Sequence, residues 1–353
     1  MGVATGTENK TFQMLQVSLN ELAVNTSPDQ LMPQIGMLEA VTSQANTGGL
    51  ASLQFEVLNG KDKPQNSSGK PYVQVKVQPP TCNYTTSGSK NICDADTGDA
   101  DTSEYYNITV DQDAWREFTI DYSTFANLNE TPDQRIALRL AQHANDILVE
   151  INNSLVTLAY AQVGDYSDSV DSASSPKSVS LINTAGTYQP LAWSKVVTDY
   201  RKNGFNGKPI AVGGSKLETA MMSAMFQGTG QFTAPYNPAL PITAFTDYLI
   251  DSTLNNSTEN MLTWMPGTVR MVEWFKNDGY NAINLEVHKA GKFNYMGYEF
   301  DLDITYICDK KYKFTLSKQY GLFHPTVAMY GDCWKGGLLA WELGCTGLDC
   351  ADF

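Results

Sequence analysis

The sequence predicts an α+β fold, and three observations indicate it. Apolar and polar residues alternate with a period of two in one region before residue 123 and in another after residue 297, as they do in half-buried strands. Between these regions, an apolar stripe at spacings of three and four marks a very long helix. A shorter strand, turn and helix follow at residues 209–225. Strands and helices are therefore grouped along the chain, which is typical of α+β folds.

The N-terminal region is predicted to be an extended arm. Residues 16–45 are moderately apolar, but no single long period runs through them, and Ser27-Pro28 and Met32-Pro33 interrupt any helix. We therefore expect only short helical pieces in this arm.

A strand-rich region is predicted to follow, with strands at residues 53–57, 72–78, 105–110 and 117–122. In the second of these, Val73, Val75 and Val77 alternate with polar residues, so one face of the strand is apolar. The intervening residues 79–104 are rich in Thr, Ser, Gly and Asp, which is typical of a long loop or a small insertion.

The long helix has the clearest local signals. Thr131 and Pro132 supply an N-cap hydroxyl and a first-turn proline, and Gln134 lies three residues after the cap. Gly164 provides a left-handed stop, so the helix is about 32 residues and roughly 48 Å long. Its predicted apolar face comprises Ile136, Leu140, Ala144, Ile147, Leu148, Ile151, Leu155 and Leu158.

A compact α/β segment follows a Ser- and Asp-rich linker. It begins with a helix at 191–203 that Gly204 closes, and a short buried strand at 209–212 comes next. The capping box from Ser215 to Glu218 then opens a second helix.

The final third of the chain returns to strands, at residues 298–306 and 312–316. For the apolar faces of these two strands to coincide, we expect Ile304 to face Leu316 across a loop of three residues, 309–311.

Composition limits the possible functions. Of the 353 residues, 38 are acidic and 24 are basic, and the formal charge of -14 disfavours DNA or RNA binding as the main function. Hydrophobic residues make up 42% of the chain and charged residues 18%, which is enough apolar material for a large core. No apolar run reaches the roughly 18 residues of a membrane helix, and no signal peptide is visible, so we expect a soluble protein that folds in a cytoplasm.

Two short motifs resemble ligand sites without matching them. Gly213-Gly214-Ser215-Lys216 lies between a strand and a helix but lacks the spacing of phosphate-binding loops, so we interpret it as a tight turn with an N-cap. A cluster of aspartates surrounds Gly98, but glycine occupies the fifth position, where an EF-hand loop requires a ligand. A solvated acidic loop is the better interpretation of this cluster, which comprises Asp94, Asp96, Asp99 and Asp101.

No catalytic residue, cofactor or metal site is predicted. The chain has no Gly-x-Ser-x-Gly motif, and its histidines, His143, His288 and His324, are more simply explained by packing or exposure. The carboxylates between Glu299 and Asp303 are expected on an outward, solvated face rather than in a glycosidase-type pair. With no Cys-x-x-Cys motif, the six cysteines do not indicate zinc.

The order of these elements resembles that of the major capsid proteins of tailed bacteriophages, whose capsid shell fold is shared with encapsulins. The most specific match is residues 313–331, which resemble the closing segment of that family. Pro266-Gly267-Thr268-Val269 with Val272-Glu273-Trp274 is also similar to strands of the family's A-domain. The resemblance extends from about Leu15 to Gly331, in the order of elements rather than in identity.

The resemblance implies five regions. They are an N-terminal arm (1–48), an E-loop with an insertion at 79–104 (49–127), the spine helix and linker of the P-domain (128–185), an A-domain (186–290), and returning strands with a C-terminal tail (291–353). No charged scaffolding segment precedes the arm, which implies a separate scaffolding protein or none. Lys61, Lys63 and Lys70 lie in the expected hairpin, but no motif marks a cross-linking partner for them.

The function implied is that of a structural subunit, not an enzyme, in an icosahedral virion shell of hexamers and pentamers. Such a shell would form in the host bacterial cytoplasm and enclose double-stranded DNA without sequence-specific binding, because an acidic wall repels DNA. Possible partners are neighbouring subunits and scaffolding, portal and decoration proteins, with no membrane. An encapsulin-like compartment protein, a monomeric β-rich binding module and an enzyme with an unrecognised site remain alternatives. The residues expected at inter-subunit contacts are Val73, Val75, Val77, Leu19 and Leu22.

Overall fold

The structure is a computed structural model, and it describes thirteen stretches of the chain. These are residues 34–44, 56–57, 72–77, 104–121, 132–163, 177–182, 192–202, 207–230, 244–256, 261–276, 288–308, 311–323 and 338–345. The predicted mixture of helices and sheets is confirmed. No helix among these residues is long and apolar enough to cross a membrane.

The helices and strands are numbered here in chain order. The helices are α1 (Gly36–Thr42), α2 (Pro132–Ala161), α3 (Trp193–Lys202) and α4 (Ser215–Gly230), with a 3-10 helix at Ser252–Asn256. The strands before α3 are β1 (Glu56–Val57), β2 (Tyr72–Val77), β3 (Glu104–Thr109), β4 (Gln112–Asp121) and β5 (Lys177–Ile182). The later strands are β6 (Ile210–Gly213), β7 (Asp247–Ile250), β8 (Met261–Trp264), β9 (Arg270–Trp274), β10 (His288–Tyr295), β11 (Tyr298–Cys308), β12 (Lys311–Phe323) and β13 (Leu338–Cys345).

The chain divides into two compact units. Unit 1 consists of residues 1–35, 110–152 and 273–320, and unit 2 of residues 36–109, 153–272 and 321–353. Of the predicted N-terminal arm, the structure describes residues 34–44, which include the single short helix α1. Leu19 and Leu22 lie outside the described residues.

Unit 1 is built on an antiparallel sheet with the strand order β10-β11-β12-β4, and β9 also pairs with β12. The first two thirds of α2 packs on one face of this sheet. The His143 ring on the helix stacks on Phe118 of β4 with centroids 5.2 Å apart, and Phe118 stacks on Phe314 of β12 at 5.0 Å. This row of three rings fixes which face of the sheet carries the helix.

The predicted long helix is confirmed as α2, which begins at Pro132 and ends at Ala161. Every residue of the predicted apolar face is buried except Leu158, which is half-buried. The exposed residues form a separate stripe at spacings of three and four, as one solvent-facing side of a helix requires. Between residues 135 and 161 they are Leu138, Arg139, Gln142, Asp146, Val149, Asn153, Thr157 and Ala161.

The predicted register of the last hairpin is wrong by two residues. Ile304 pairs with Phe314, and Leu316 pairs with Leu302. A β-bulge between Tyr306 and Cys308 takes up one residue, so the strands are joined by the two residues 309–310 instead of three. Because the shift is an even number of residues, the apolar faces of the two strands still coincide.

Unit 2 contains a mixed sheet with the strand order β5-β13-β8-β6-β7. β13 runs parallel to β5 and β6 parallel to β7, while β8 is antiparallel to both of its neighbours. The predicted strand, turn and helix are confirmed as β6 and α4, and the predicted helix before them is α3. The core of this unit includes Trp193, Tyr200, Leu217, Met261, Trp341 and Leu343.

One buried hydroxyl connects three elements of the unit 2 core. Thr263 on β8 accepts a hydrogen bond from the indole N–H of Trp341 at 2.7 Å and shares another with the hydroxyl of Tyr200 at 2.8 Å. All three side chains are completely buried. Since a buried polar group without a partner costs free energy, this network favours the one arrangement that satisfies all three groups.

The buried stripe of α2 yields the first prediction. Ile147→Asp places a charge at a position with no solvent exposure, so we expect the free energy of unfolding to fall by about 3–5 kcal/mol. Val149→Asp introduces the same side chain two residues away on the exposed stripe, where we expect a change of less than about 0.5 kcal/mol. Urea unfolding of both variants measures the difference, and equal stabilities would contradict the packing described for α2.

Candidate inter-subunit surface

The small antiparallel sheet β1-β2-β3 contains the valines predicted to contact other subunits. Its register pairs Val73 with Ile108 and Val75 with both Tyr106 and Val57, so a row of apolar residues lies in register across the strands. At one end of the sheet Ile108 is buried, with 9% of its surface exposed. The apolar face of a sheet is normally buried against another structural element.

The face of the unit 1 sheet opposite α2 is covered by ion pairs between neighbouring strands. On this face, acidic residues of β4 lie beside basic residues of the neighbouring strand β12. Acidic residues of β11 lie on the other side of β12. Lys313 lies 2.5 Å from Glu117, and Lys311 lies 3.5 Å from Asp121. Lys292 on β10 lies 3.4 Å from Glu299 on β11. The charges of this face are therefore balanced largely within the chain.

Large apolar side chains are exposed at a few positions of unit 1. Trp115, on the outward face of the edge strand β4, is 51% exposed, and Ile307 at the end of β11 is 50% exposed. The bulge explains Ile307, because the extra residue in the strand is left unpaired and its side chain is redirected. Tyr306 beside it is 38% exposed and packs edge-on against Tyr312 at 5.3 Å. The sequence does not reveal this surface, because the bulge leaves no signal in the alternation of apolar and polar residues.

A completely buried lysine is the most unusual side chain of unit 1. Lys318 lies next to Ser317, where the pairing of β12 with β11 ends. Its ammonium group lies 2.8 Å from a carboxylate oxygen of Glu273 and donates a hydrogen bond to the carbonyl of Glu299 at 2.9 Å. The ring faces of Phe275 and Phe300 lie 5.2 and 5.6 Å away. The charge is thus fully paired, as a buried ammonium must be.

The prediction that the carboxylates between Glu299 and Asp303 lie on a solvated face is wrong for the middle one. Asp301 is 1% exposed, and its carboxylate accepts a hydrogen bond from the backbone N–H of Lys276 at 2.7 Å. The Lys276 ammonium lies 3.8 Å from Asp113 on β4. The segment after β9 therefore crosses the sheet at this point and covers Asp301. The alternation of a strand does not reveal which segment passes over it.

Of the remaining sequence candidates, the structure describes the turn between β6 and α4. The turn before α4 is closed by Asn255, whose side-chain oxygen accepts the backbone N–H of Ser215, so a residue of the chain occupies the position that an anion would take. Cys82, Cys93, His324 and the Asp94–Asp101 cluster lie outside the described residues. Within the stretches that are described, no group of three or more His, Cys, Asp or Glu side chains is placed to hold a metal ion.

The pKa of His143, whose ring stacks on Phe118, is shifted from its ordinary value. Burial lowers the pKa of His143 below its ordinary value of 6.5, and Arg139 and Arg116 act in the same direction. Asp146, with a carboxylate oxygen 3.9 Å from Nδ1, opposes this shift. The neutral imidazole is therefore the form that the packing against Phe118 favours.

No protein-family model and no curated protein matches the chain. Among solved structures, the chain is similar to the capsid of Ralstonia phage GP4, with 8% identity, 89% of this chain and 92% of that chain covered, and a TM-score of 0.42. For the mature capsid of bacteriophage PhiM1, the identity is 8%, the coverage 78% and 82%, and the TM-score 0.41. For a virus-like particle from Pyrococcus furiosus, the identity is 8%, the coverage is 91% of this chain and 96% of that chain, and the TM-score is 0.42.

The buried lysine yields a second prediction. Lys318→Met leaves the Glu273 carboxylate and the Glu299 carbonyl without their partner, and we expect a loss of about 2–4 kcal/mol in the free energy of unfolding. Adding Glu273→Leu to this variant removes the carboxylate that has lost its partner and should recover much of the lost free energy of unfolding. Guanidinium unfolding of the two single variants and the double variant gives the coupling, and additive losses would show that the pair is not a unit.

A third prediction concerns pH. Because the folded-state pKa of His143 is lowered, the unfolded chain binds a proton more readily, and stability should decline as the pH falls below 6.5 and through the folded pKa. His143→Phe retains a ring against Phe118 but cannot titrate, so its melting temperature should decline less over the same range. Thermal unfolding in a pH series compares the two proteins, and parallel curves would contradict the assignment.

Proposed function

We propose that this chain is a structural subunit of an icosahedral virus capsid, which self-assembles into hexamers and pentamers around double-stranded DNA. The observation that carries the proposal is the sheet β1-β2-β3. Its extensive contacts among the described residues are between its own strands. An apolar face formed by β2 and its neighbours therefore needs cover, and further copies of the chain would supply it.

The proposal assigns the contact to particular residues. Val73 and Val75 lie in the apolar row of the sheet by register, and Val77 lies on the same face of β2. These valines would pack on a neighbouring subunit, with Leu19 and Leu22 of the arm contributing a second contact. Trp115 and Ile307 of unit 1 are further apolar positions open to a neighbour.

The contacts of the buried charged side chains and the net charge of the chain are also consistent with a structural role. Lys318 and Asp301 are buried ionisable groups, a class often found in reactive sites, but here they hold segments of the chain together through direct contacts. The formal charge of -14 suits a container wall that repels nucleic acid instead of binding it. Scaffolding, portal and decoration proteins are proposed as partners, with assembly in the host cytoplasm and a place in the virion.

The fourth prediction tests the surface of β2. Val75→Asp places a charge in the apolar row, so we expect large particles to be lost while the subunit remains folded. Gln74→Asp introduces the same side chain at the neighbouring position, on the opposite face of the strand, and should leave assembly intact. Analytical ultracentrifugation measures particle mass, and circular dichroism checks folding.

The outcomes distinguish the alternatives. A wild-type chain that remains a folded monomer under all conditions would contradict any shell function and favour a binding module. Particles that form without nucleic acid, judged by absorbance at 260 relative to 280 nm, would favour an encapsulin-like compartment. If both aspartate variants assemble equally well, β2 is not the contact surface.

A further inference from the structure

Most residues of the short helix α1 are buried in unit 2. Met37, Leu38 and Ala40 have no exposed surface, although the helix has only seven residues. It contacts β6 and β7. A Cβ atom added at Gly36 would collide with the backbone carbonyl of Ile250, so glycine permits the close approach at the start of the helix. Gly36 is also the residue at which the chain enters unit 2.

A buried carboxylate fastens this helix to the sheet. Asp251, which follows β7, has no exposed surface, and one of its oxygens accepts the backbone N–H of Met37 at 2.9 Å. The other oxygen accepts the backbone N–H and the hydroxyl of Thr253 at 2.9 and 2.6 Å. The backbone N–H of Asp251 donates to the carbonyl of Gly213 at 2.8 Å. One residue thus connects α1, β6 and β7.

A second carboxylate lies in the first turn of α1. Glu39 is half-buried, and burial raises its pKa above the ordinary value of 4.5, with the charge of Asp251 adding to the effect. Neither α1, β6 nor β7 contains a lysine or an arginine. Their other titratable groups are Tyr248 and Asp247, whose carboxylate accepts the N–H of Tyr248. The like charges of Glu39 and Asp251 are therefore not offset by a basic residue of these elements.

We propose that Glu39 and Asp251 form an acid-responsive latch that holds α1 on the sheet of unit 2 more firmly as the pH falls from neutral to mildly acidic. Deprotonated Glu39 faces the charge of Asp251 in a partly buried place, which weakens docking. Protonated Glu39 removes the repulsion while Asp251 still accepts the N–H of Met37. The latch goes beyond the proposed capsid function and does not depend on it.

The sign of the effect follows from linkage. A carboxyl group whose folded-state pKa is raised binds its proton more tightly when folded than when released. Its contribution to docking is fully present below pH 4.5 and is lost as the pH rises through the raised value. Glu39→Gln is permanently neutral and nearly isosteric, so it mimics the protonated latch.

The fifth prediction concerns the pH dependence of α1 docking, which hydrogen–deuterium exchange of the full chain measures. We expect the protection of α1 amides, corrected for intrinsic exchange rates, to increase in the wild-type protein from about pH 7.5 to about pH 5. Glu39→Gln should be as protected at the higher pH as the wild type at the lower pH, with little pH dependence. Glu218→Gln, which removes the same charge from an exposed position on α4, should behave as wild type.

Two results would overturn the proposal. One is a Glu39→Gln variant that retains the pH response of the wild type, and the other is protection that declines on mild acidification. Asp251→Asn provides a second test, since it removes the charge that repels Glu39, and the rise in α1 protection on acidification should become smaller. Protection of β8 in the same experiment reports whether unit 2 remains folded. An Asp251→Asn variant with the full pH response of the wild type would also contradict the latch.

Discussion

Burial of the inner stripe of α2 on the sheet of unit 1 is the constraint on which the rest of that unit depends. The part of α2 that belongs to unit 1, residues 132–152, is about 30 Å long, which is far more than the spacing of about 4.8 Å between neighbouring strands, so its apolar stripe needs several strands to cover it. The stacked rings of His143, Phe118 and Phe314 join the helix to two of those strands. Once they are in place, the face of β4 that carries Trp115 must point outward.

Polar groups in the interior set the details that apolar packing leaves open. Hydrophobic contact tolerates small shifts, whereas a buried donor or acceptor is satisfied in few arrangements. Thr263 determines how Tyr200 and Trp341 meet, Lys318 holds the end of β9 against β11, and Asp251 holds α1. Each group is paired within its own unit. The same pairing that specifies the fold leaves these side chains little capacity for reaction with a substrate.

Local signals in the sequence were sufficient to predict an element whose structure depends mainly on its own residues. The capping residues and the 3.6-residue period predicted α2 to within a few residues, and the buried strand and capping box predicted β6 and α4. Features that depend on a second segment were missed. The bulge at Ile307 displaced the hairpin register, and the segment containing Lys276 covers Asp301. Lys318 was detectable in principle, since it continues the apolar row of Phe314 and Leu316.

The ion pairs of the unit 1 sheet bear on how copies of the chain would associate. Lys311 and Lys313 already lie beside Asp121 and Glu117 of the same chain. New ion pairs between these lysines and a neighbouring copy would add little to the free energy of association, because each new pair would replace an existing one. Association through this face would therefore draw on the exposed indole of Trp115 more than on charge. Added salt screens exposed pairs but leaves apolar contacts largely unaffected. The proposed assembly through Trp115 and the valines of β2 should consequently not weaken as salt is added, since salt also screens the mutual repulsion of chains that each carry a formal charge of -14.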